Sequence, residues 1–204
     1  TKKGPIIKDF GAVFQIENPD LILDKNLEYK VIFDVYTDGS KKKELNPMIV
    51  TAARYLNMHA QKGVPHKNLK VAMVFHGAAT KSALSNAAYQ KHYGIDNPNS
   101  DLLLALKNAE VELYVCGQSY LAMNYQEDQK HSAVQLALSA LTTLVAYQTE
   151  GYQCMRSRYP VDITMELMGD VPVEIITPCE GVSEQNTHRI LINFHGGGFQ
   201  SGSR

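Results

Sequence analysis

Cys116 is the residue whose position in the sequence most favours chemistry. It follows an apolar segment typical of a β-strand, residues 111–115, and it precedes the small polar residues Gly117, Gln118 and Ser119. If those three residues open a helix, the thiol faces free backbone N–H groups and the positive end of the helix dipole, which favour the thiolate. A thiolate can attack sulfur or carry a persulfide. The alternative is that Cys116 is a small buried apolar residue, as free cysteines often are.

His76 stands at the end of a second apolar segment, residues 69–75, and Gly77 follows it. If the two strands are neighbours in a parallel sheet, His76 and Cys116 lie at the edge where such sheets bind ligands. The imidazole could then pair with the thiolate, as in other Cys–His sites. The alternative is a histidine that caps a loop or binds the backbone. We therefore predict a strand-end site made of Cys116, His76, Gly77 and residues 117–119.

The strands that must position these residues alternate with helices. Runs of β-branched and apolar residues predict strands, and apolar residues at helical spacing predict helices. Asn46 followed by Pro47 indicates a helix start, and Gly63 its end. The predicted strands are residues 29–35, 69–75, 111–115 and 134–138, with a short edge strand at 12–16, and the other predicted helices lie near residues 81–92, 100–109 and up to 151. This alternation favours an α/β three-layer sandwich with a mostly parallel, flavodoxin-like sheet.

The pattern changes after residue 153. Two segments with strand character, residues 162–168 and 171–177, flank Gly169 and Asp170 and predict a β-hairpin. A polar loop then precedes an apolar strand at residues 189–194. The sequence therefore predicts two parts, a domain at residues 1–153 and a β-rich segment at residues 154–204.

Composition and charge restrict the possible partners. A formal net charge of −1 with 20% charged residues argues against nucleic acid or an anionic membrane as the main partner. No segment reaches the roughly 18 consecutive apolar residues of a membrane span. The three cysteines, Cys116, Cys154 and Cys179, leave at least one unpaired, and a bridge between Cys154 and Cys179 is possible. Neither a zinc-site spacing nor a phosphate loop is present, so we expect no metal and no cofactor.

The segments at residues 53–59, 74–77 and 112–119 carry the most specific pattern, and residues 136–152 add to it. Together they resemble the exported branch of the DsrE/DsrF-like (sulfur-relay-like) family, over roughly residues 5–153. The resemblance implies a three-layer α/β fold, a homo-oligomer such as a trimer or hexamer, and a sulfur-carrying Cys116 that exchanges sulfur with a donor or acceptor protein. It also implies an exported, periplasmic location, with the cytoplasm as the alternative.

The tail resembles a different family. Residues 159–178 and 191–199 look like the opening of a hormone-sensitive-lipase-like esterase, an α/β-hydrolase. That resemblance implies an oxyanion hole built on the motif His195, Gly196, Gly197 and Gly198. The G-x-S-x-G nucleophile motif does not occur in the sequence, so we expect a truncated hydrolase-like segment without esterase activity. Such a tail is either a second coding region joined by truncation, fusion or assembly error, or a half-hydrolase completed by a second chain.

Three functional hypotheses follow from these patterns. The leading one is a sulfur-relay protein that carries a persulfide on Cys116, with His76 and the amides of Gly117 and Gln118 shaping the site. The second is a non-catalytic, oligomeric protein that holds a small ligand in a pocket at the strand ends. The third is a carboxylesterase fragment, which we expect to be inactive.

Overall fold

The computed structural model describes residues 4–38, 43–156, 161–168 and 171–178. The chain divides into two compact units, Thr1–Ser157 and Arg158–Arg204. The boundary predicted after residue 153 differs slightly from this division, because a short strand at Gln153–Arg156 still belongs to the sheet of the first unit.

A sheet of parallel strands forms the centre of the first unit. The strands are β1 (Tyr29–Val35), β2 (Leu69–Phe75), β3 (Glu112–Cys116), β4 (Gln135–Ala137) and β5 (Gln153–Arg156), arranged in the order β4-β3-β2-β1-β5. Every neighbouring pair is parallel, so the carboxyl ends of the strands lie along one edge of the sheet. The strands that lead to His76 and Cys116 are neighbours, since β2 pairs with β3.

Helices connect the strands of this sheet. They are α1 (Pro47–Gln61), α2 (Asn86–Tyr93), α3 (Ser100–Asn108), α4 (Gly117–Ala122) and α5 (Ala140–Thr149). Helix α1 begins as predicted, because the Asn46 side chain accepts a hydrogen bond from the Met48 N–H at 3.0 Å. The helix predicted at residues 81–92 is instead divided into a 3₁₀ segment, Gly77–Ala83, and α2. None of the helices in the described part of the chain is long and apolar enough to cross a membrane.

Alternate residues of β1 show that helices cover both faces of the sheet. Val31 and Phe33 are buried in a core that also contains Leu56 of α1 and residues of α3. Ile32 is buried on the opposite face, in a cluster with Leu144 of α5. Because successive side chains of a strand point to opposite faces, the sheet lies between two helical layers. The predicted α/β fold with a mostly parallel sheet is therefore confirmed.

Residues 4–28 lead into the sheet without forming a strand, apart from a single bridge residue at Val13. The edge strand predicted at residues 12–16 is therefore wrong. The buried Asn57 side chain of α1 satisfies this segment instead, binding the N–H groups of Ile6 and Ile7 and the carbonyls of Ile7, Phe10 and Gly11. Backbone groups that are satisfied by a side chain need no neighbouring strand.

The second unit contains the predicted β-hairpin. Its strands, β6 (Val161–Met168) and β7 (Val171–Pro178), are antiparallel, with Met168 opposite Val171. The strand predicted at residues 189–194 and the glycine motif at His195, Gly196, Gly197 and Gly198 lie outside the described residues. The hydrolase-like interpretation of this segment thus stays a prediction.

Candidate functional site

Four polar residues meet at the carboxyl edge of the sheet. Asp34 of β1 lies between Val74 of β2 and Arg156 of β5, and the pair of Phe75 with Val115 places His76 beside Cys116. Strand residues two apart share a face, so Asp34, Arg156, His76 and Cys116 all belong to the face that α5 covers. The sequence predicted His76 and Cys116 at this edge, and the structure adds Asp34 and Arg156.

Cys116 lies where two helices begin. It is the last residue of β3 and the N-cap of α4, and its Sγ accepts a hydrogen bond from the Ser119 N–H at 3.4 Å. The backbone N–H groups of Gln118 and of Ala140, the first residue of α5, also favour the ionised sulfur and lower the pKa of Cys116. The residue is only 4% exposed. Both interpretations of Cys116 therefore hold in part, since the thiol is buried and yet surrounded by amide donors.

Those donors decide the ionisation of Cys116. Burial acts to raise the pKa of the thiol, but hydrogen bonds from the Ser119 side chain and from backbone N–H groups outweigh it, so that the pKa is lowered. The donating amides belong to Ser119, Ala140 and Gln118. A thiol in such surroundings is more readily converted to the nucleophilic thiolate than an ordinary cysteine.

Gly117 permits the close approach of α4 and β4 that completes this site. A Cβ atom on Gly117 would lie 2.8 Å from the carbonyl oxygen of Ala137, which is too close for any other residue without a backbone shift. Of its predicted companions, Gln118 is exposed and Ser119 is half-buried. Of the predicted residues 117–119, Ser119 is the one whose N–H donates a hydrogen bond to the thiol.

His76 makes a different contact from the one the sequence predicted. Its Nε2 lies 2.6 Å from Oδ1 of Asp34, and its side chain is 29% exposed. The predicted pairing with the Cys116 thiolate is therefore not formed at Nε2, because that nitrogen is occupied by the Asp34 carboxylate. The neighbouring Gly77 has a φ angle of +52°, which lets the chain turn away directly after the imidazole.

Asp34 is a fully buried carboxylate with two cationic or hydrogen-bonding neighbours. Its side chain is 0% exposed, and Oδ2 accepts a hydrogen bond from Arg156 Nε at 2.5 Å. Burial acts to raise the pKa of Asp34, but the hydrogen bonds and charges of His76 and Arg156 outweigh it and lower the pKa. The carboxylate is therefore ionised. A buried charge is stable only when neighbouring groups pair with it or donate hydrogen bonds to it, as His76 and Arg156 do here.

The sequence gives a signal for only one of these two missed residues. Asp34 directly follows the apolar residues 31–33, one residue before the end of β1, and an acidic residue at such a position indicates a buried or functional carboxylate. Arg156 belongs to the short, exposed strand β5. That strand can be identified only from its pairing with β1, so the sequence did not indicate Arg156.

The described residues hold no metal-binding cluster. No group of three or more histidine, cysteine, aspartate or glutamate side chains among them is arranged to bind a metal ion. Cys154 on β5 is an exposed free thiol, and Cys179 lies outside the described residues. The chemistry that this edge offers is therefore a buried, amide-bound sulfur next to a carboxylate-bound imidazole.

Comparison with known proteins places this sheet in a family. The model of the DsrE/DsrF-like family matches residues 30–156, while no curated protein matches the chain. Among solved structures, a protein of unknown function from Methanobacterium thermoautotrophicum, MTH1491, is 17% identical with a TM-score of 0.49, covering 64% of this chain and 100% of its own. The ychN protein from E. coli is 12% identical with a TM-score of 0.48, covering 63% of this chain and 99% of its own. The family match ends with β5 and does not include the hydrolase-like segment.

Proposed function

This chain belongs to the DsrE/DsrF-like family, and from that premise we propose that it carries sulfur as a persulfide on Cys116. The observation that carries the proposal is the place of Sγ at the start of α4, where it accepts a hydrogen bond from the Ser119 N–H at 3.4 Å and where the N–H groups of Gln118 and Ala140 also lower the pKa of the thiol. These donors favour the thiolate, which is the form of cysteine that attacks sulfur. The family supports a sulfur-relay role in general, and the geometry at Cys116 supports this residue as the carrier.

The proposed reaction is an exchange between a thiol and a persulfide. The Cys116 thiolate attacks the outer sulfur of a donor persulfide, R–S–SH, and the new S–S bond forms as the S–S bond of the donor breaks. The donor leaves as a thiolate, which then takes up a proton. The reverse reaction passes the sulfur to an acceptor thiol, so neither an oxidant nor a reductant is consumed.

The burial of Cys116 restricts which donors can react. With only 4% of the residue exposed, the attacked sulfur must reach Sγ at the end of a narrow group. A persulfide has this shape, because its transferable sulfur is terminal and carries only hydrogen. Attack on a bulky disulfide would instead form a mixed disulfide on Cys116, and we expect burial to make that reaction slow. Protein and small-molecule persulfides are therefore the expected donors.

Mass spectrometry of the cysteine peptides tests this function. The purified chain is incubated with glutathione persulfide, and we expect one added sulfur atom on Cys116. Cys116→Ser abolishes this uptake, whereas the matched variant Cys154→Ser, which removes an exposed thiol of the same sheet, retains it. Sulfur that is found on Cys154 while Cys116 stays unmodified would contradict the proposal.

The ligand-binding alternative has weaker support in the geometry. It requires a pocket at the carboxyl ends of the strands, but a cavity of about 300 Å³ in this structure is lined by Tyr29, Tyr55 and Gln153, near the amino ends of β1 and β5. Sulfur uptake separates the two functions, because a binding protein without catalysis would not require the Cys116 thiol.

A homo-oligomer, a trimer or hexamer, forms part of the proposal. Its support is a group of exposed large apolar side chains on and around edge strand β4 and the adjacent helices α4 and α5, namely Leu121, Met123, Leu136, Leu138, Leu141 and Val145. Exposed apolar groups of this kind mark interaction sites. Light scattering should give a mass of three or more chains, and Leu141→Glu should lower it while Leu104→Glu on α3 does not. A monomer at micromolar concentration would contradict this part of the proposal.

Two expectations from the sequence concern the rest of the protein. We propose an exported, periplasmic location, which fractionation of cells that express the full gene would test.

We also propose that the tail has no esterase activity. Turnover of a p-nitrophenyl ester by the purified chain that is lost in His195→Ala would contradict that expectation.

A further inference from the structure

Asp34 has a hydrogen-bonding arrangement that the sulfur chemistry of Cys116 alone does not explain. Its carboxylate is 0% exposed, and it uses one oxygen for each neighbour, Oδ1 for His76 Nε2 at 2.6 Å and Oδ2 for Arg156 Nε at 2.5 Å. Arg156 approaches from the edge strand β5, and its own side chain is 62% exposed. The carboxylate is thus fixed from two sides, by a strand on each side of β1.

This arrangement determines which nitrogen of His76 carries a proton. An ionised carboxylate can only accept hydrogen bonds, so a nitrogen that is bonded to it must be the donor. Since Asp34 is the acceptor at 2.6 Å, Nε2 of His76 carries a hydrogen. The other nitrogen, Nδ1, is then the one that can take up and release a proton.

The sheet register brings that imidazole next to the reactive sulfur. Phe75 pairs with Val115, so the next residues along the chain, His76 and Cys116, follow at the ends of two neighbouring strands and belong to the same face of the sheet. Neighbouring strands are about 4.8 Å apart, so a sulfur group bound at Cys116 lies about one strand spacing from the residue that carries the imidazole. Tyr36 flanks the imidazole on its other side, with ring centroids 5.9 Å apart.

We propose that Asp34 is a positioning residue for sulfur transfer, which holds the Nε2 proton of His76 so that Nδ1 exchanges protons with the sulfur groups at Cys116. The inference rests on the proposed persulfide function. In the forward step the Cys116 S–H gives its proton to Nδ1, and the resulting thiolate attacks the outer sulfur of the donor. The imidazolium then returns the proton from Nδ1 to the departing donor thiolate. The sum is Cys–SH plus R–S–SH giving Cys–S–SH plus R–SH, with every atom and proton accounted for.

The Arg156 contact gives Asp34→Asn an unusual and testable consequence. The Arg156 guanidinium can only donate hydrogen bonds, so we expect the amide oxygen of the asparagine to turn to Arg156 and its NH₂ group to face His76. Nε2 must then accept a hydrogen bond, and the imidazole proton moves to Nδ1. Replacement of the aspartate in an Asp–His pair by asparagine is known to impose the wrong tautomer while the geometry is preserved.

The double variant Asp34→Asn, Arg156→Gln should reverse this change. Without the Arg156 guanidinium, the asparagine amide is free to rotate and to offer its oxygen to Nε2. The tautomer then returns to the wild-type form, although the carboxylate charge is absent. A purely structural or electrostatic role of Asp34 would not be restored by removal of a second side chain.

Imidazole ¹H–¹⁵N spectra and sulfur-uptake rates together test the inference. The His76 signals are identified by their loss in His76→Gln, at a pH where the ring is neutral. We expect the proton on Nε2 in the wild type, on Nδ1 in Asp34→Asn and again on Nε2 in the double variant. Uptake from glutathione persulfide should fall by about tenfold or more in Asp34→Asn and recover in the double variant, the scale expected of a proton-transfer group. Asp101→Asn, an exposed residue of α3, is the matched control and should change neither quantity.

The outcomes separate this inference from the function on which it rests. A wild-type protein that takes up no sulfur on Cys116 overturns both. Normal uptake by the wild type, with a proton on Nδ1, overturns the positioning role alone. The same holds if the tautomer changes in Asp34→Asn while the uptake rate does not. If Asp34→Asn does not fold, the wild-type spectrum still decides, because it must show Nε2 protonated.

Discussion

The two cysteines of the sheet differ in the property that matters for sulfur chemistry. Cys116, at the end of β3, is 4% exposed and has a lowered pKa. Cys154, on edge strand β5, is exposed and has a raised pKa, because partial desolvation of its sulfur and the nearby Asp34 carboxylate both disfavour the thiolate. The more accessible thiol is thus the less ionised one.

This difference shows that backbone amides, rather than exposure, select the reactive cysteine. Cys116 is followed directly by a helix and lies against the first residue of another, so N–H groups without intrahelical partners point at its sulfur. Cys154 is followed within its own strand by Arg156, and its pairing partner is Ile32. A strand interior offers no free N–H groups toward a side chain, so nothing there offsets the loss of solvation.

The largest expected effect is that of Gly117→Ala, which should make Cys116 less reactive and the protein less stable. Its Cβ would meet the Ala137 carbonyl oxygen at 2.8 Å, so the start of α4 must shift away from the sulfur. We expect the free energy of unfolding to fall by about 2 to 3 kcal/mol, as for other overpacked sites. Chemical denaturation measures this loss, and the alkylation rate of Cys116 should fall with it.

Gly151→Ala is the matched control for this variant. Gly151 has a φ angle of +89° but no atom within 4 Å of a Cβ, so it tests backbone strain without collision. Its cost should be about 1 kcal/mol, with Cys116 alkylation unchanged. Equal effects of both variants on alkylation would show that the approach of α4 to β4 does not control the thiol.

Removal of each sulfur should have unequal effects on stability. Cys116→Ala deletes a buried side chain and the helix cap formed with the Ser119 N–H, and it should cost about 1 to 2 kcal/mol. Cys154→Ala alters an exposed edge position and should change stability by no more than about 0.5 kcal/mol. Denaturant titrations compare the two variants. A larger loss for Cys154→Ala would contradict the burial difference between the two sites.

Ser119→Ala should reduce the difference in pKa between Cys116 and Cys154 without removing it. The Ser119 side chain is one of the donors that lower the pKa of Cys116, while the backbone donors remain in the variant. We expect the pKa of Cys116 to rise and its alkylation rate at neutral pH to fall about threefold, as one hydrogen bond contributes about 1 kcal/mol or less. Cys154 serves as the internal control in the same sample. An unchanged alkylation rate of Cys116 would mean that the backbone N–H groups alone lower its pKa.

Arg156→Gln should have the smallest effect. It should increase the difference in pKa between the two thiols by acting on Cys154. The Arg156 charge lowers the pKa of Cys154, against the larger influences of burial and Asp34. Its removal should therefore raise the pKa of Cys154 further and slow its alkylation slightly. The pKa of Cys116 should change less, because burial and nearby N–H donors are the largest influences on it. A shift of Cys116 that equals the shift of Cys154 would show that the two sites are not independent.

Much of the fold and half of the site could be predicted from the sequence. Strands β1, β2 and β3 contain apolar runs, at residues 31–33, 71–75 and 113–116, and a parallel sheet that is covered on both faces requires such runs. The position of Cys116 between a strand and small residues indicated the amide donors of α4. The donor from Ala140 could not be predicted, because α5 approaches the sulfur only through the folding of the sheet.

The other half of the site depends on contacts between residues that are far apart in the sequence. Asp34 and Arg156 are 122 residues apart, and only the pairing of β1 with β5 joins them. The sequence pattern places His76 at the correct edge, yet it cannot indicate that a buried carboxylate would bind Nε2. The edge strand predicted at residues 12–16 also fails at a distant contact, since Asn57 of α1 fixes the adjoining backbone at Ile6, Ile7, Phe10 and Gly11.

The pH dependence of alkylation at each cysteine, followed by mass spectrometry of separate peptides in one sample, tests the central claim most directly. Accessibility scales the rate of each thiol at every pH, but the midpoint of its pH profile reports ionisation alone. We predict a midpoint for Cys116 below that of an ordinary thiol and a midpoint for Cys154 above it. A Cys116 midpoint equal to or higher than that of Cys154 would contradict the selection of the carrier by backbone amides.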